Sequence, residues 1–303
     1  MTKGNLAAVA VVCAICATPA LAAETLDTTP RIAVMSAFAP EWVALQTVLQ
    51  ERKDYSVNGT TFATGLIEGK PVVLFLTGVS MVNAAMNTQV VLDSFNVDSI
   101  VFSGIAGGVD PERHIGDVIV PAQWGQYLEV IMARETAEGE FTPPPFLEAS
   151  HVNYGMIFPQ EVTVTRADAE PENKFWFAVD PDLLAVAESV AADVTLDDCT
   201  ADKACLTSAP GIHVGGNGVS GAAFVDNAAF REYAFDTFEA RVLDMESAAV
   251  AHVAYANGVP FIAFRSLSDL AGGGEGENEM GTFMGLASDN SAKVVTAFIK
   301  ALP

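Results

Sequence analysis

Apolar residues along this chain fall in short unbroken runs rather than in strict alternation. RIAVMSA (31–37), PVVLFLT (71–77), SIVFSG (99–104), DVIVPA (117–122), GIHVGG (211–216) and FIAFRS (261–266) have strand length and no polar face. Strands that are apolar on both sides belong to a sheet covered by helices. Stretches of helical character lie between them, at about 40–52, 80–95, 181–192, 226–238, 246–257 and 284–301, and Pro40 suits the first turn of the first. Alternation of strand and helix predicts an α/β fold: one domain, a three-layer α/β/α sandwich around a twisted mixed, mostly parallel sheet. No repeat or domain boundary interrupts the pattern. Residues 134–180 read as a long loop excursion with room for a hairpin, and Gly272-Gly273-Gly274-Glu275-Gly276-Glu277 as a mobile loop.

The first residues break the pattern. Lys3 precedes an apolar run over 6–17, and Ala20-Leu21-Ala22 has the small-residue form of a cleavage site. This predicts a signal peptide over 1–22 and a folded domain over 23–303. The run is shorter than the roughly 20 residues of a membrane-spanning helix. The expected location is periplasmic or secreted, with no membrane attachment after cleavage.

Charge and cysteine usage fit an external compartment. With 38 acidic and 15 basic residues the net charge is −23, which argues against binding nucleic acid or anionic lipid. It suits a neutral or cationic small ligand. Of four cysteines, Cys13 and Cys16 leave with the leader. Cys199 and Cys205, six apart in a polar segment, suit a loop-closing disulfide in an oxidising compartment. The histidines show no metal-ligand spacing, so no metal and no organic cofactor is expected. Arg113 and Arg231 read as solvated.

In open α/β sheets, ligands bind beyond the carboxyl ends of the strands. Glu41 follows RIAVMSA, Gly104-Ile105-Ala106-Gly107-Gly108 follows SIVFS, Asp244-Met245-Glu246 follows a short strand ARVL, and Ser268-Asp269 follows FIAFRSL. Glu41, Glu246 and Asp269 would therefore converge at one sheet edge. Each has a plainer reading as well. Glu246 could cap its helix, Glu41 could be a first-turn acid favoured by the helix dipole, Asp269 could be a loop residue, and Phe224 could be core.

The segments RIAVMSAFAPEW, TGVSMVNAAMNTQVVL, FSGIAGGVDPERHIGDVIVP, SGAAFVDN and DMESAAVAHVAYANGVPFIAFRSLSD together resemble the nucleoside phosphorylase/hydrolase superfamily, and within it the 5′-methylthioadenosine/S-adenosylhomocysteine nucleosidases. The resemblance runs from Arg31 to the C-terminal helix. It implies cleavage of the N-glycosidic bond of an adenine nucleoside by water. By resemblance, Asp269 protonates the base, Glu246 holds the ribose hydroxyls, Met245 packs on the ribose, and Glu41 activates the water. Phe224 stacks on the base, Val225 meets its edge, and Arg265 and Ser268 support the acids, beside Gly104 and Ile105 of the glycine loop. The resemblance also implies a homodimer.

Such residue types suit the chemistry. A sugar that becomes positive is stabilised by a fixed carboxylate in a dry site, and the leaving base needs an acid of raised pKa. Phosphorolytic relatives place an Arg after the first strand and another before the glycine loop. Here SAFAPEW and Val101-Phe102-Ser103 hold none, which favours hydrolysis over phosphorolysis. Ile105 departs from the Ser or Thr usual in the nucleosidases. SGIAGG and GDVIVPAQW are also similar to exported relatives and plant storage proteins of the superfamily, so a binding or storage protein with weak turnover stays open beside the two enzymes.

Overall fold

The computed structural model describes residues 25–274 and 276–303. The predicted leader over 1–22, with Cys13 and Cys16, lies outside the described residues, as does Glu275. One sheet of twelve strands carries the fold, with six parallel and five antiparallel pairings. The sheet is mixed, as expected, with the parallel pairings in a narrow majority. The extra antiparallel pairings come from a meander that the apolar runs do not announce. Strands Gln50–Val57 and Thr60–Ile67 join at Asn58-Gly59, and Thr60–Ile67 joins Lys70–Leu76 at Glu68-Gly69. Both central residues of each turn have positive φ (50° and 82°, 49° and 76°), the backbone that matches the twist of a two-residue hairpin. The first helix, α1 (Ala39–Val48), ends earlier than the predicted 52 because the chain enters this meander.

Helices α2 (Met81–Ser94) and α5 (Ser247–Asn257) pack together on the sheet, and α1 and α3 (Pro181–Ala191) pack with α6 (Met280–Ala301). The remaining helix, α4 (Ala228–Phe238), leads into the strand Ala240–Asp244. The observed architecture is the expected single-domain α/β sandwich. The excursion over 134–180 holds two short antiparallel pairs, Arg134–Ala137 with Glu140–Thr142 and Val162–Val164 with Glu172–Lys174, and its strand Ile157–Pro159 pairs with Val130–Met132 just before it. Cys199 and Cys205 form a disulfide.

The strand Phe95–Gly108 organises the sheet. Its first half lies between the parallel strands Asp27–Ser36 and Phe261–Asp269, and its last two glycines pair antiparallel with Val242 and Leu243. Fourteen residues is long for a strand. The run Ile100-Val101-Phe102 is fully buried, and the glycine-rich end Gly104–Gly108 pairs with Phe261–Asp269 and with Ala240–Asp244. Neither Arg113 nor Arg231 is simply solvated. Arg113 pairs with Asp110 (3.2 Å) and lies against the His213 ring, and Arg231 donates to the Gly108 carbonyl (2.9 Å). Their aliphatic stems are partly covered, and each guanidinium serves main-chain or acidic acceptors that the loop after Gly108 would otherwise leave open.

Candidate functional site

Helix α1 and the ends of the strands Ala240–Asp244 and Phe261–Asp269 deliver four carboxylates to one place beside Gly104–Gly108. A cavity of about 190 Å³ opens there. Its walls are Ala37, Phe38 and Glu41 from the start of α1, Val79, Ile105–Gly107, Ala223–Val225, Leu243–Glu246, Ser268, Asp269 and Met280. The predicted residues Glu41, Ile105, Phe224, Val225, Met245, Glu246, Ser268 and Asp269 all line it. Gly104 and Arg265 lie directly behind it. No arginine, lysine or histidine lines the cavity among the described residues.

Arg265 is completely buried beneath these acids. Its Nε lies 2.7 Å from Asp244 Oδ2, and its terminal nitrogens are 3.5 Å from Glu246 Oε2 and 3.9 Å from Glu41 Oε1. The guanidinium carbon sits 4.0 Å from the centre of the Phe102 ring, a cation–π contact made strong by desolvation. Gly104 allows this packing. A Cβ there would lie 2.6 Å from Glu41 Oε1 and would run into the guanidinium.

Asp244 and Glu246 divide the work at the start of α5. Asp244 accepts from the backbone N–H of Glu246 (3.2 Å) and of Ser247 (3.1 Å), and from the hydroxyls of Ser220 and Ser247. It therefore satisfies the open N-terminus of the helix, the role of a cap. Glu246 makes no side-chain cap bond. Its Oε1 instead accepts the N–H of Ser80 at 2.7 Å. Ser80 reaches it from a backbone of φ 81°, ψ 161°, a region that residues other than glycine occupy only when the surroundings impose it.

Glu41 is the first-turn acid of α1 and also lines the cavity. Oε2 accepts the N–H groups of Ala37 (2.7 Å) and Phe38 (3.2 Å), closing the first turn of α1, while Oε1 accepts that of Ile105 (2.8 Å). The helix acid is thus tied to the central strand. Asp269 ends its strand opposite Gly107. Its Oδ2 accepts from the Ser268 hydroxyl (2.9 Å) and its Oδ1 from the Ala271 N–H (2.8 Å). Phe224, expected as either core or base-stacking residue, is 57% exposed at the cavity mouth, so it is not core.

Burial sets the protonation of these acids. Desolvation pushes the carboxyls of Glu41 and Asp269 up. Glu246 is pushed to about 7 by desolvation, with Arg265 opposing and the neighbouring Asp244 adding to the rise. One guanidinium cannot compensate three carboxylates out of water, so burial outweighs its pull and the shifts of Glu41 and Glu246 are upward.

Sequence reasoning missed Val79, Ser80, Ser220, Asn278 and Met280. Ser220 lies in SGAAFVDN, where its spacing to Asp244 carries no local signal. Ser80 acts through its backbone N–H, which any residue but proline supplies. Among the described residues no group of three His, Cys, Asp or Glu is placed to hold a metal ion.

Comparison with known proteins places this geometry in a lineage. A family model described as the phosphorylase superfamily matches residues 31–300. The chain is similar to bark storage protein A of Populus deltoides, 26% identical over 257 residues covering 84% of this chain and 81% of the relative. It is similar to a 5′-methylthioadenosine/S-adenosylhomocysteine nucleosidase of Bacillus licheniformis, 29% identical over 276 residues covering 90% and 99%. Among solved structures, futalosine hydrolase of Helicobacter pylori superposes with a TM-score of 0.67 at 20% identity, covering 90% of this chain and 98% of that one. The Neisseria meningitidis nucleosidase in complex with methylthio-immucillin-A superposes with a TM-score of 0.66 at 24% identity, covering 90% and 99%. These two likenesses concern the fold.

Glu246→Gln separates a site role from a structural one. The native state holds the Glu246 proton up to about 7, whereas an unfolded carboxyl releases it near 4.5. Native protein therefore binds more protons within that window, and its stability falls as pH rises through it. In Glu246→Gln this part of the decline should vanish, so melting temperatures at pH 8 should equal or exceed wild type. Turnover should fall by about 10²–10³, the usual effect of losing one group aimed at transition-state charge. Melting scans from pH 4 to 8 beside rate measurements check this, and equal losses of stability and activity would make Glu246 structural.

Proposed function

Since the chain belongs to the phosphorylase superfamily, we propose that its carboxylate-lined cavity hydrolyses the N-glycosidic bond of a purine nucleoside, an adenine nucleoside such as 5′-methylthioadenosine. The observation that carries this reading is the convergence of Glu41, Glu246 and Asp269, from three separate segments, on one cavity. The relatives named as nucleosidases support it.

The chemistry follows from the environments. Asp269, whose carboxyl burial pushes up, donates its proton to the departing base as the bond from sugar to base nitrogen breaks and the electron pair leaves with the base. The sugar then carries positive charge. Glu246 and Glu41 face that charge, and their ionised forms are favoured as it develops. A water oxygen bonds to the anomeric carbon, and Glu41 takes its proton. The products are free base and free sugar. Glu41 is held by three main-chain N–H groups, so it is oriented before substrate arrives. Phe224 and Met245 offer apolar surface to the base and the ribose. A phosphate dianion would meet carboxylates and no cation at the cavity surface, which disfavours phosphorolysis.

The likeness to bark storage protein A, together with the apolar Ile105 in the cavity wall beside Glu41, supports a second reading. In it the pocket binds adenine or a nucleoside and turns it over slowly.

The same proposal takes the protein as exported and homodimeric. The leader pattern and the disulfide support export. No helix among the described residues is long and apolar enough to cross a membrane. Val79, just before α2, and Val82 and Met86 within it are exposed and offer an apolar patch to a second copy. Val79 also lines the cavity, so such a dimer would border the site. Protein recovered from the external fraction should begin at Ala23 and sediment at twice the monomer mass. A retained leader contradicts export, and a monomer contradicts the dimer.

Purified protein should release adenine from methylthioadenosine or adenosine equally with and without phosphate, and Asp269→Asn should abolish release. Release only with phosphate would overturn the hydrolytic reading. Adenine binding without release would favour the storage reading.

A further inference from the structure

The segment after Asp269 returns to the cavity through Asn278, which the chemistry above does not use. The Asn278 amide makes three contacts that fix its orientation. Its Nδ2 donates to Asp226 Oδ1 (3.1 Å) and to Asp269 Oδ1 (3.4 Å), and its Oδ1 accepts the N–H of Met280 (3.0 Å). Two carboxylates require the NH₂ end and a backbone N–H requires the oxygen. A carboxamide of this length meets all three demands at once, and a carboxylate would add a third negative charge. Asp226 directly follows the cavity residues Phe224 and Val225, and Met280 is a cavity residue on the opposite side. Asn278 therefore spans two lips of the pocket. A second tie joins the same segments: the Asn227 N–H donates to the Ala271 carbonyl (3.0 Å), and Gly272 packs so closely on Asp226 and Asn227 that a Cβ would collide with their backbone.

We propose that Asn278 is a positioning residue that latches the Phe224–Asp226 lip to the Ala271–Met280 segment and directs the catalytic proton of Asp269 onto Oδ2. This rests on the nucleosidase reading. With Ala271 N–H and Asn278 Nδ2 both donating to Oδ1, that oxygen stays an acceptor, and the proton occupies Oδ2. The Ser268 hydroxyl shares Oδ2 and also lies 3.4 Å from the Ala106 carbonyl. It can turn its own hydrogen there when Oδ2 is protonated. The charged groups around Asp269 are Asp226 across the latch, the acids Glu41, Asp244 and Glu246 across the cavity, Arg265 behind them, and Arg231 on the far side of Gly273. Of these, the nearby Asp226 opposes ionisation of Asp269, and burial is the larger cause in the same direction.

Asn278→Ala removes one donor to the ionised carboxylate, so Asp269 should keep its proton to higher pH while the lips lose their tie. The test is calorimetric titration of adenine into wild type, Asn278→Ala and Asn278→Asp from pH 5 to 9, with rates on methylthioadenosine alongside. In Asn278→Ala the pH at which adenine binding and kcat/KM fall should move up. The limiting affinity should weaken several-fold, KM should rise more than kcat falls, and the melting temperature should stay near that of wild type. Asn278→Asp should move the midpoint further. Coincident pH midpoints and affinities in wild type and Asn278→Ala would overturn the latch, as would a loss of binding matched by a loss of stability. If wild type binds adenine but releases none, the nucleosidase reading fails and the binding curves still decide the latch. If it binds no adenine, both fall.

Discussion

The site depends on one buried cation. Arg265 has no contact with solvent, and Asp244, Glu246 and Glu41 surround it within 2.7 to 3.9 Å. A guanidinium out of water is tolerable only when it is paired and its N–H groups are bonded. It stacks on Phe102 and also donates to Ser247 Oγ and the Ile105 carbonyl, so helix α5, the central strand and the first helix all meet through it. The excess of carboxylate over guanidinium has a chemical result. The acids that face the cavity hold protons more tightly than they would in water, and a ligand that becomes positive favours their ionised forms.

Stability and chemistry are kept apart by assigning them to different oxygens and different residues. Asp244 takes the helix cap and the closest approach to Arg265, which leaves Glu246 turned to the cavity. Glu41 spends one oxygen on its own helix and the other on Ile105. The strained Ser80 backbone costs about 1–3 kcal/mol and supplies an N–H donor to Glu246. Strain held at such a point is what a site requires when an acid has to be kept in one orientation against the solvent.

The sequence made the scaffold legible where the signal is local. Runs such as PVVLFLT and FIAFRS have only one environment that suits them, and DMES followed by small residues marks a strand passing into a buried helix. The meander over 50–67 was hidden because QERKDYSV is polar on an edge strand and continues a helical pattern, although Asn58-Gly59 marks its turn. The antiparallel pairings come from that meander, from the end of Phe95–Gly108 against Ala240–Asp244, and from the short strands Trp176–Ala178 and Val118–Val120. The acids at the strand ends were legible because carboxylates seldom sit beside buried runs without cause. Val79, Met280 and Asn278 were not, since only the folded chain brings them to Asp269, and a backbone donor such as the Ser80 N–H leaves no mark on residue identity.

The central claim is that a cavity of carboxylates over a buried arginine delivers water, not phosphate, to the anomeric carbon of a nucleoside. The most direct measurement is the mass of the sugar formed from methylthioadenosine or adenosine in ¹⁸O-enriched water with phosphate present. The account expects free sugar carrying one ¹⁸O at its anomeric position and no sugar phosphate. A sugar 1-phosphate as the product would contradict it.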